Sequence, residues 1–184
     1  MGIGLKAGLN FSTVTGTTTS FKPGNQSGFM VAGFYAPSFR GFGYRTELVF
    51  SQQGFSFTTD GKTENVKQQY IFLPQLTTFT IARVVQLQAG AQIGFLLNAR
   101  STKKDAQGSN DVMSFYNRIE YGFAGGLEIY PFKGLLIGSR YNLSLGNVYK
   151  QTAYPLIYHP NAISFQYGPE RKECCNAVFL GYRF

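Results

Sequence analysis

Apolar and polar residues alternate with a period of two along most of this chain. Between 84 and 100, the odd positions from Val85 to Leu97 are aliphatic, aromatic or alanine, whereas the even positions from 86 to 94 are glutamine or glycine. Successive side chains of a strand point to opposite faces, so this pattern predicts a strand with one apolar and one polar face. The segment is also longer than the roughly 3–10 residues usual for globular strands.

The same alternation, or a less regular form of it, occurs in seven further segments. In Gln68–Ile81 the phase of the alternation is ambiguous, and Pro74 predicts a bulge or locally weakened pairing because proline lacks the N–H that a ladder needs. The eight predicted strands are Gly2–Ser12, Gly28–Ala36, Gly43–Phe57, Gln68–Ile81, Val84–Arg100, Arg118–Tyr130, Leu135–Gly146 and Cys174–Phe184.

The connections between these segments alternate in length. Short links are predicted at Pro37–Phe42, Ala82–Val84 and Pro131–Gly134, and long links at Thr13–Ser27, Thr58–Val66, Ser101–Phe115 and Val148–Glu173. Short periplasmic turns and long external loops are typical of outer-membrane barrels. We therefore predict an all-β fold, an eight-stranded antiparallel transmembrane up-and-down β-barrel. We expect residues 1–184 to form a single domain with both termini periplasmic and the long loops extracellular.

Composition and charge agree with this prediction. The chain holds 22 Gly, 12 Tyr and 18 Phe with 14% charged residues, a profile that favours strands. A mean hydropathy of −0.11 is compatible with a membrane barrel, whose strands alternate lipid-facing and interior residues. No signal peptide is visible after Met1, which is not evidence for the cytoplasm. The net charge of +8 is scattered, which argues against nucleic acid and suits contact with phosphate-rich lipid and lipopolysaccharide.

Charged residues of the predicted strands share the polar face, which the barrel turns inward. Eight strands enclose a space that side chains fill, so these charges should pair with one another, and a gated ion or proton path is the less favoured alternative. A tight link at 131–134 makes the strands of Glu128 and Arg140 neighbours, which predicts that both belong to one interior network. The predicted interior residues are Lys6, Arg45, Glu47, Arg118, Glu120, Glu128, Arg140 and Arg183.

Catalytic and metal chemistry find little support. The single histidine, His159, lies in the longest loop, and although Asp105 and Asp111 could approach it, no spacing suggests a triad. Cys174 and Cys175 are adjacent, lack metal-ligand spacing, and are interpreted as inert thiols on opposite faces. We expect no enzymatic activity, cofactor or metal. The long loops combine basic and aromatic residues that suit either a partner or plain solvation: Lys103, Lys104, Lys150, Tyr154, Tyr158, Arg171 and Lys172.

Several segments, none of them highly specific alone, are similar in sequence and order to a known family. They are GIGLKAGLNFS, TELVFSQQGFSF, YIFLPQL, LQAGAQIGFLL, GSRYNLSLGNV and a terminal GYRF. Together they cover nearly the whole chain and resemble the outer-membrane β-barrel domain family common in Bacteroidota, often labelled PorT-like. The resemblance implies an eight-stranded barrel of OmpA/OmpX type, in a family with some members linked to type 9 secretion and gliding. Phe72 departs from it, since family members more often carry an acidic residue there.

The expected function is that of a non-enzymatic outer-membrane barrel, a structural or accessory subunit of a larger envelope complex for secretion, assembly or uptake. The alternatives are a soluble calycin-like barrel that binds a small molecule, and a small pore. The final outward residues Leu180, Tyr182 and Phe184 resemble the signal by which the barrel-assembly machinery recognises its clients. The match is imperfect, because Phe179 stands where a glycine is often found, five residues before the end. An interfacial aromatic anchor is the other interpretation of Phe184.

Overall fold

The computed structural model describes residues 2–15, 23–37, 41–59, 62–101, 117–145 and 172–184. These residues form eight strands in chain order. The strands are β1 (Ile3–Thr15), β2 (Pro23–Tyr35), β3 (Gly41–Thr59), β4 (Lys62–Ile81), β5 (Val85–Ser101), β6 (Ile119–Ile129), β7 (Leu135–Ser144) and β8 (Lys172–Arg183). No helix in these ranges is long and apolar enough to cross a membrane.

The eight strands close into an antiparallel up-and-down barrel in which each strand pairs with its neighbours in sequence. Closure is made by β1 and β8, where Leu5 pairs with Tyr182 and Leu9 with Val178. Closing the sheet satisfies the hydrogen-bonding groups that an edge strand would expose. The predicted fold class is confirmed.

Strand lengths differ from the prediction in one region. The link predicted at Thr58–Val66 is wrong, because β3 and β4 continue as a hairpin until Thr59 pairs with Lys62. As a result β3 has 19 residues and β4 has 20, whereas β6 has 11 and β7 has 10. The first long link is also shorter than predicted, since β1 extends to Thr15 and β2 begins at Pro23. These extensions were not predicted because their residues are largely polar and show no clear alternation of apolar and polar positions.

The short links lie together at one end of the barrel. Residues 82–84 join β4 to β5, with Ala82 and Arg83 at φ of 50° and 59°, the left-handed region that closes a tight turn. Residues 130–134 join β6 to β7 and include Gly134 at φ 83°. We call this end the short-turn end and the opposite end the long-loop end.

Pro74 interrupts the ladder between β3 and β4, as predicted. Thr46 pairs with Gln75 and Val49 with Phe72, but no pair forms at the two positions between them. Proline has no N–H to donate, so the gap follows directly from its chemistry. On its other side Pro74 pairs with Gln92 of β5, and the strand remains continuous.

The two faces of the sheet have opposite chemistry. Aliphatic and aromatic side chains of the outward parity are exposed, among them Leu5 at 57%, Leu48 at 55% and Leu180 at 58%. The inward parity carries the buried polar and charged side chains together with apolar ones such as Phe34 and Phe179, and with glycines where large side chains need room. At Gly138 an added Cβ would lie 2.6 Å from the Phe179 ring. An exterior more apolar than the interior is the reverse of a soluble barrel.

Candidate functional site

Five charged side chains meet in the barrel interior. Lys6 comes from β1, Arg45 and Glu47 from β3, Glu128 from β6 and Arg140 from β7, and none is more than 5% exposed. Each lies on the inward parity of its strand, so alternation alone turns it toward the centre. We call these five residues the interior charge cluster.

Glu47 is the centre of this cluster. Its carboxylate accepts hydrogen bonds from Arg140 Nη1 at 2.6 Å and Nη2 at 2.8 Å, and from Lys6 Nζ at 2.8 Å. Arg45 Nη1 lies 3.5 Å from the same carboxylate. The two-pronged contact with Arg140 fits the planar guanidinium group, and it fixes the position of both side chains.

Glu128 forms the second anionic position. Arg45 Nη1 donates to its Oε1 at 2.6 Å, and Lys6 Nζ lies 3.5 Å from the same oxygen. The Tyr130 hydroxyl donates to Oε2 at 2.8 Å, and Arg45 Nη2 contacts Gln86 Oε1 at 2.8 Å. The cluster therefore spans the interior from β1 to β7 through charge-assisted hydrogen bonds, which are stronger than neutral ones.

Aromatic rings complete the walls of the cluster. Arg45 lies 4.3 Å from the centroid of Phe34, and Lys6 lies 4.2 Å from that of Phe179. Cations over ring faces are stabilised electrostatically, more so where water is excluded. The cross-section of the barrel at this level is filled by side chains.

A small cavity lies on the long-loop side of the cluster. Its volume is about 30 Å³, and its walls include Arg140 and Glu120 as well as neutral polar side chains such as Gln92 and Asn142. A volume of this size holds about two waters, at roughly 10–15 Å³ each. The cavity has room for water above the cluster and is too small for a typical ligand, which needs about 300 Å³ or more.

The remaining predicted interior residues lie outside the cluster. Arg118 is exposed, so its predicted interior position is wrong; it precedes the first residue of β6, at the end of the barrel wall. Glu120 is half-buried beside the cavity. Arg183 is half-buried at the short-turn end, where its Nη2 donates to the Ala36 carbonyl at 2.9 Å.

The prediction that Glu128 and Arg140 share a network agrees with the contacts, but their partners differ from those that hairpin neighbours suggested. Glu128 pairs with Arg45 and Arg140 pairs with Glu47, each across the interior. Sequence reasoning also missed three neutral side chains that contact the cluster: Gln86, Gln88 and Tyr130. Gln86 has the inward parity of β5, and this parity was the signal in the sequence that could have identified it as an interior residue.

Other sequence expectations can be located as well. Phe72, where the family resemblance suggests an acid, is buried and stacks on Tyr70 at 5.2 Å between centroids. Cys175 is buried, and its Sγ contacts Gln53 Oε1. The outward residues of β8 and the adjoining Phe184 are exposed, at 58% for Leu180, 48% for Tyr182 and 71% for Phe184. The side chains of Cys174 and Lys172 fall outside those described, as do residues His159, Asp105, Asp111, Lys103, Lys104, Lys150, Tyr154, Tyr158 and Arg171.

A closed barrel with an apolar exterior and a charged, filled interior defines the class of transmembrane β-barrels. The chain matches the outer membrane protein beta-barrel domain family over residues 1–150, and it belongs to that family. It is thus a protein of the outer membrane. No curated protein matches the sequence.

Solved structures of outer-membrane barrels share the fold. Ail of Yersinia pestis, solved in complex with the heparin analogue sucrose octasulfate, is 17% identical with a TM-score of 0.56, covering 100% of this chain and 99% of Ail. Neisserial surface protein A is 11% identical with a TM-score of 0.59, covering 99% and 97%. OprG of Pseudomonas aeruginosa is 11% identical with a TM-score of 0.52, covering 100% and 95%. At these identities the likeness concerns the fold.

Proposed function

We propose that this protein is a non-enzymatic, non-conducting outer-membrane barrel that serves as an accessory subunit of a larger envelope complex. The observation that carries the proposal is the interior charge cluster, which fills the barrel where a pore would need open space. Glu47 and Arg140 are both buried and joined by two hydrogen bonds across the lumen, which leaves little room for a continuous water path. The working surfaces are then those outside the lumen.

The two alternatives fit the geometry less well. A soluble calycin-like barrel needs an apolar cavity and a polar exterior, but here Leu48 and Leu180 are exposed while Arg45 and Glu47 are buried. A pore of eight strands needs small interior side chains, yet the interior is just wide enough for the side chains that fill it.

We expect purified protein to produce no stable single-channel steps in planar lipid bilayers, because the ion pairs of Glu47 close the lumen. The measurement is current recording across a voltage range, with insertion verified independently by protease protection. A matched control is Gln92→Ala, which enlarges the cavity above the cluster without touching an ion pair and should also be silent. Stable, large steps from the unaltered protein would contradict the proposed closed interior.

The unusual length of β3 and β4 supports the accessory role. A membrane strand needs about 9–11 residues, so β3 and β4 exceed the bilayer by about eight residues or more. The ladder continues through this part, with Gly54 paired to Lys67 and Thr59 to Lys62. A two-stranded projection at the long-loop end, which we place outside the cell, suits docking to a protein partner. The PorT-like resemblance points to secretion or assembly as the setting.

Basic residues near the long-loop end support contact with lipopolysaccharide phosphates. Lys67 and Arg100 are exposed and directly paired across β4 and β5, and exposed Arg118 follows at the start of β6. Like charges directly opposite on a sheet repel each other. A phosphate between Lys67 and Arg100 relieves that repulsion, which makes the anionic outer leaflet a suitable neighbour.

The accessory role is tested by shortening the β3–β4 projection. Replacing residues 55–66 by a two-residue Asn-Gly turn joins Gly54 to Lys67, which are already paired. We expect the variant to fold as a heat-modifiable barrel but to lose partners that co-purify with the full protein in mild detergent. The full protein isolated alone from native membranes would contradict the accessory role, and retention of partners by the variant would exclude the projection as the contact.

A further inference from the structure

Two polar side chains form a pair on the outer face of the barrel, where lipid is expected. Thr46 of β3 donates its hydroxyl to Gln75 Oε1 of β4 at 2.7 Å, and the pair is exposed. The amide nitrogen of Gln75 donates to no group in the described part of the chain. Each amide nitrogen carries two donors, and an unmet donor in hydrocarbon is costly.

The pair lies within the apolar band and not at its border. Along the outward parity of β4, Gln75 follows Ile71 and Leu73, and it precedes Thr77, Phe79 and Ile81. Phe79 contacts Phe42 at 4.7 Å between centroids, which marks the aromatic border at the short-turn end. Gln75 is four residues, or roughly 13 Å along the strand at about 3.3 Å per residue, above that border.

A shallow trough of small residues adjoins the pair. In one row across the sheet, Tyr44 pairs with Thr77, Thr77 with Ala89, Ala89 with Gly125, and Gly125 with Tyr141. The three central residues are small and the two ends are tyrosines. A Cβ added at Gly125 would meet nothing closer than 3.8 Å, so the surface there is open.

We propose that this surface of β3–β6 is the interface of a homodimer, with a second copy of this chain related by a two-fold axis near Gln75. A side-chain amide is self-complementary, because each of two facing glutamines donates one N–H to the other's carbonyl oxygen. That oxygen has two lone pairs, so it keeps its bond to Thr46 while it accepts the second.

A second copy suits these features better than lipid does. Acyl chains offer neither donors nor acceptors to Gln75, whereas a two-fold partner presents the same amide at the same depth, as an isologous interface requires. Small residues such as Ala89 and Gly125 let the two sheets approach, which is how polar contacts form between membrane segments. Phosphate groups of lipid lie at the membrane borders and not at this depth.

The first test is the dissociation constant of the dimer, measured by energy transfer between labelled copies in vesicles of outer-membrane lipid. Gln75→Leu is expected to weaken the dimer about tenfold, the scale of two side-chain hydrogen bonds in a membrane. The matched control is Ser139→Leu, which also removes a polar side chain from the outer face but on β7, and it should leave the dissociation constant unchanged. Heat modifiability on gels verifies that each variant is folded.

The second test locates the interface by cross-linking, in a background with Cys174→Ser and Cys175→Ser. Thr77→Cys should yield a cross-linked dimer with a short bis-maleimide, whereas Leu9→Cys on the opposite side of the barrel should not. A monomer in vesicles, a dimer unaffected by Gln75→Leu, or a cross-link from Thr77→Cys to a different protein would each overturn the proposal. A monomer that retains a bound lipid over the trough would overturn it as well.

Discussion

Replacing Glu47 by alanine is expected to lower the free energy of unfolding by about 3–5 kcal/mol, the range for removing one partner of a buried ion pair. Glu47 has three cationic neighbours within 3.5 Å: Lys6, Arg45 and Arg140. Without it, these three buried cations face the single carboxylate of Glu128. The chain has no tryptophan, so circular dichroism during urea unfolding in vesicles is the suitable measurement.

A graded series of carboxylate variants distinguishes this cause from general disturbance. Glu128→Ala should cost about 3 kcal/mol, because Glu128 has two cationic neighbours. Glu120→Gln should cost under about 1 kcal/mol, since Glu120 is half-buried and forms no ion pair with the described residues. Equal losses for all three variants, or unchanged urea resistance of Glu47→Ala, would show that the cluster does not stabilise the barrel.

A second large effect is expected in cells from Phe184→Ala. We propose that Leu180 and Tyr182 of β8, together with Phe184 directly after it, are recognised by the barrel-assembly machinery. Their side chains are exposed, and the Tyr182 and Phe184 rings contact each other at 5.2 Å. The variant should show a sharp loss of membrane-inserted protein in vivo, while refolding into detergent in vitro stays nearly intact because an exposed aromatic adds little to barrel packing.

Phe132→Ala is the matched control for this experiment. Phe132 is 74% exposed at the same end of the barrel, compared with 71% for Phe184, but it lies in the β6–β7 turn. If both aromatics only anchor the border of the membrane, the two variants should behave alike in both assays. Normal insertion of Phe184→Ala in cells would exclude the assembly role.

The sequence predicted the fold well because alternation is a local property. In β5 and β7 the apolar or polar character of adjacent residues indicates which side chains point outward and which point inward. The short link between β6 and β7 indicates that these two strands pair. Prediction failed where polarity on both faces concealed a strand, as at Thr59 and Lys62, which continue the β3–β4 hairpin beyond the apolar band. Alternation has no apolar phase to follow in such a segment.

The sequence predicts which side chains point into the barrel better than it predicts which of them contact one another. Parity selected Arg45 and Glu128 as interior side chains, but which charges meet depends on the stagger of the strands around the closed barrel. That stagger brings β3 against β6 and β7 across the lumen, far from its neighbours in the sheet. The prediction for Arg118 was wrong for a different reason. Arg118 has the inward parity of β6 but lies just before the strand begins, where no neighbouring strands cover its side chain.

The distribution of the interior ion pairs over distant strands affects how the barrel forms. Glu47 and Arg140 are 93 residues apart, and Arg45 and Glu128 are 83 apart. Contacts of such sequence separation form late, because the chain entropy of the intervening segment must first be lost. An open sheet would hold these charges apart and uncompensated. The ion pairs therefore couple closure to the interior: they form when β1 meets β8, and a half-closed barrel, which lacks them, is not expected to accumulate as a folding intermediate.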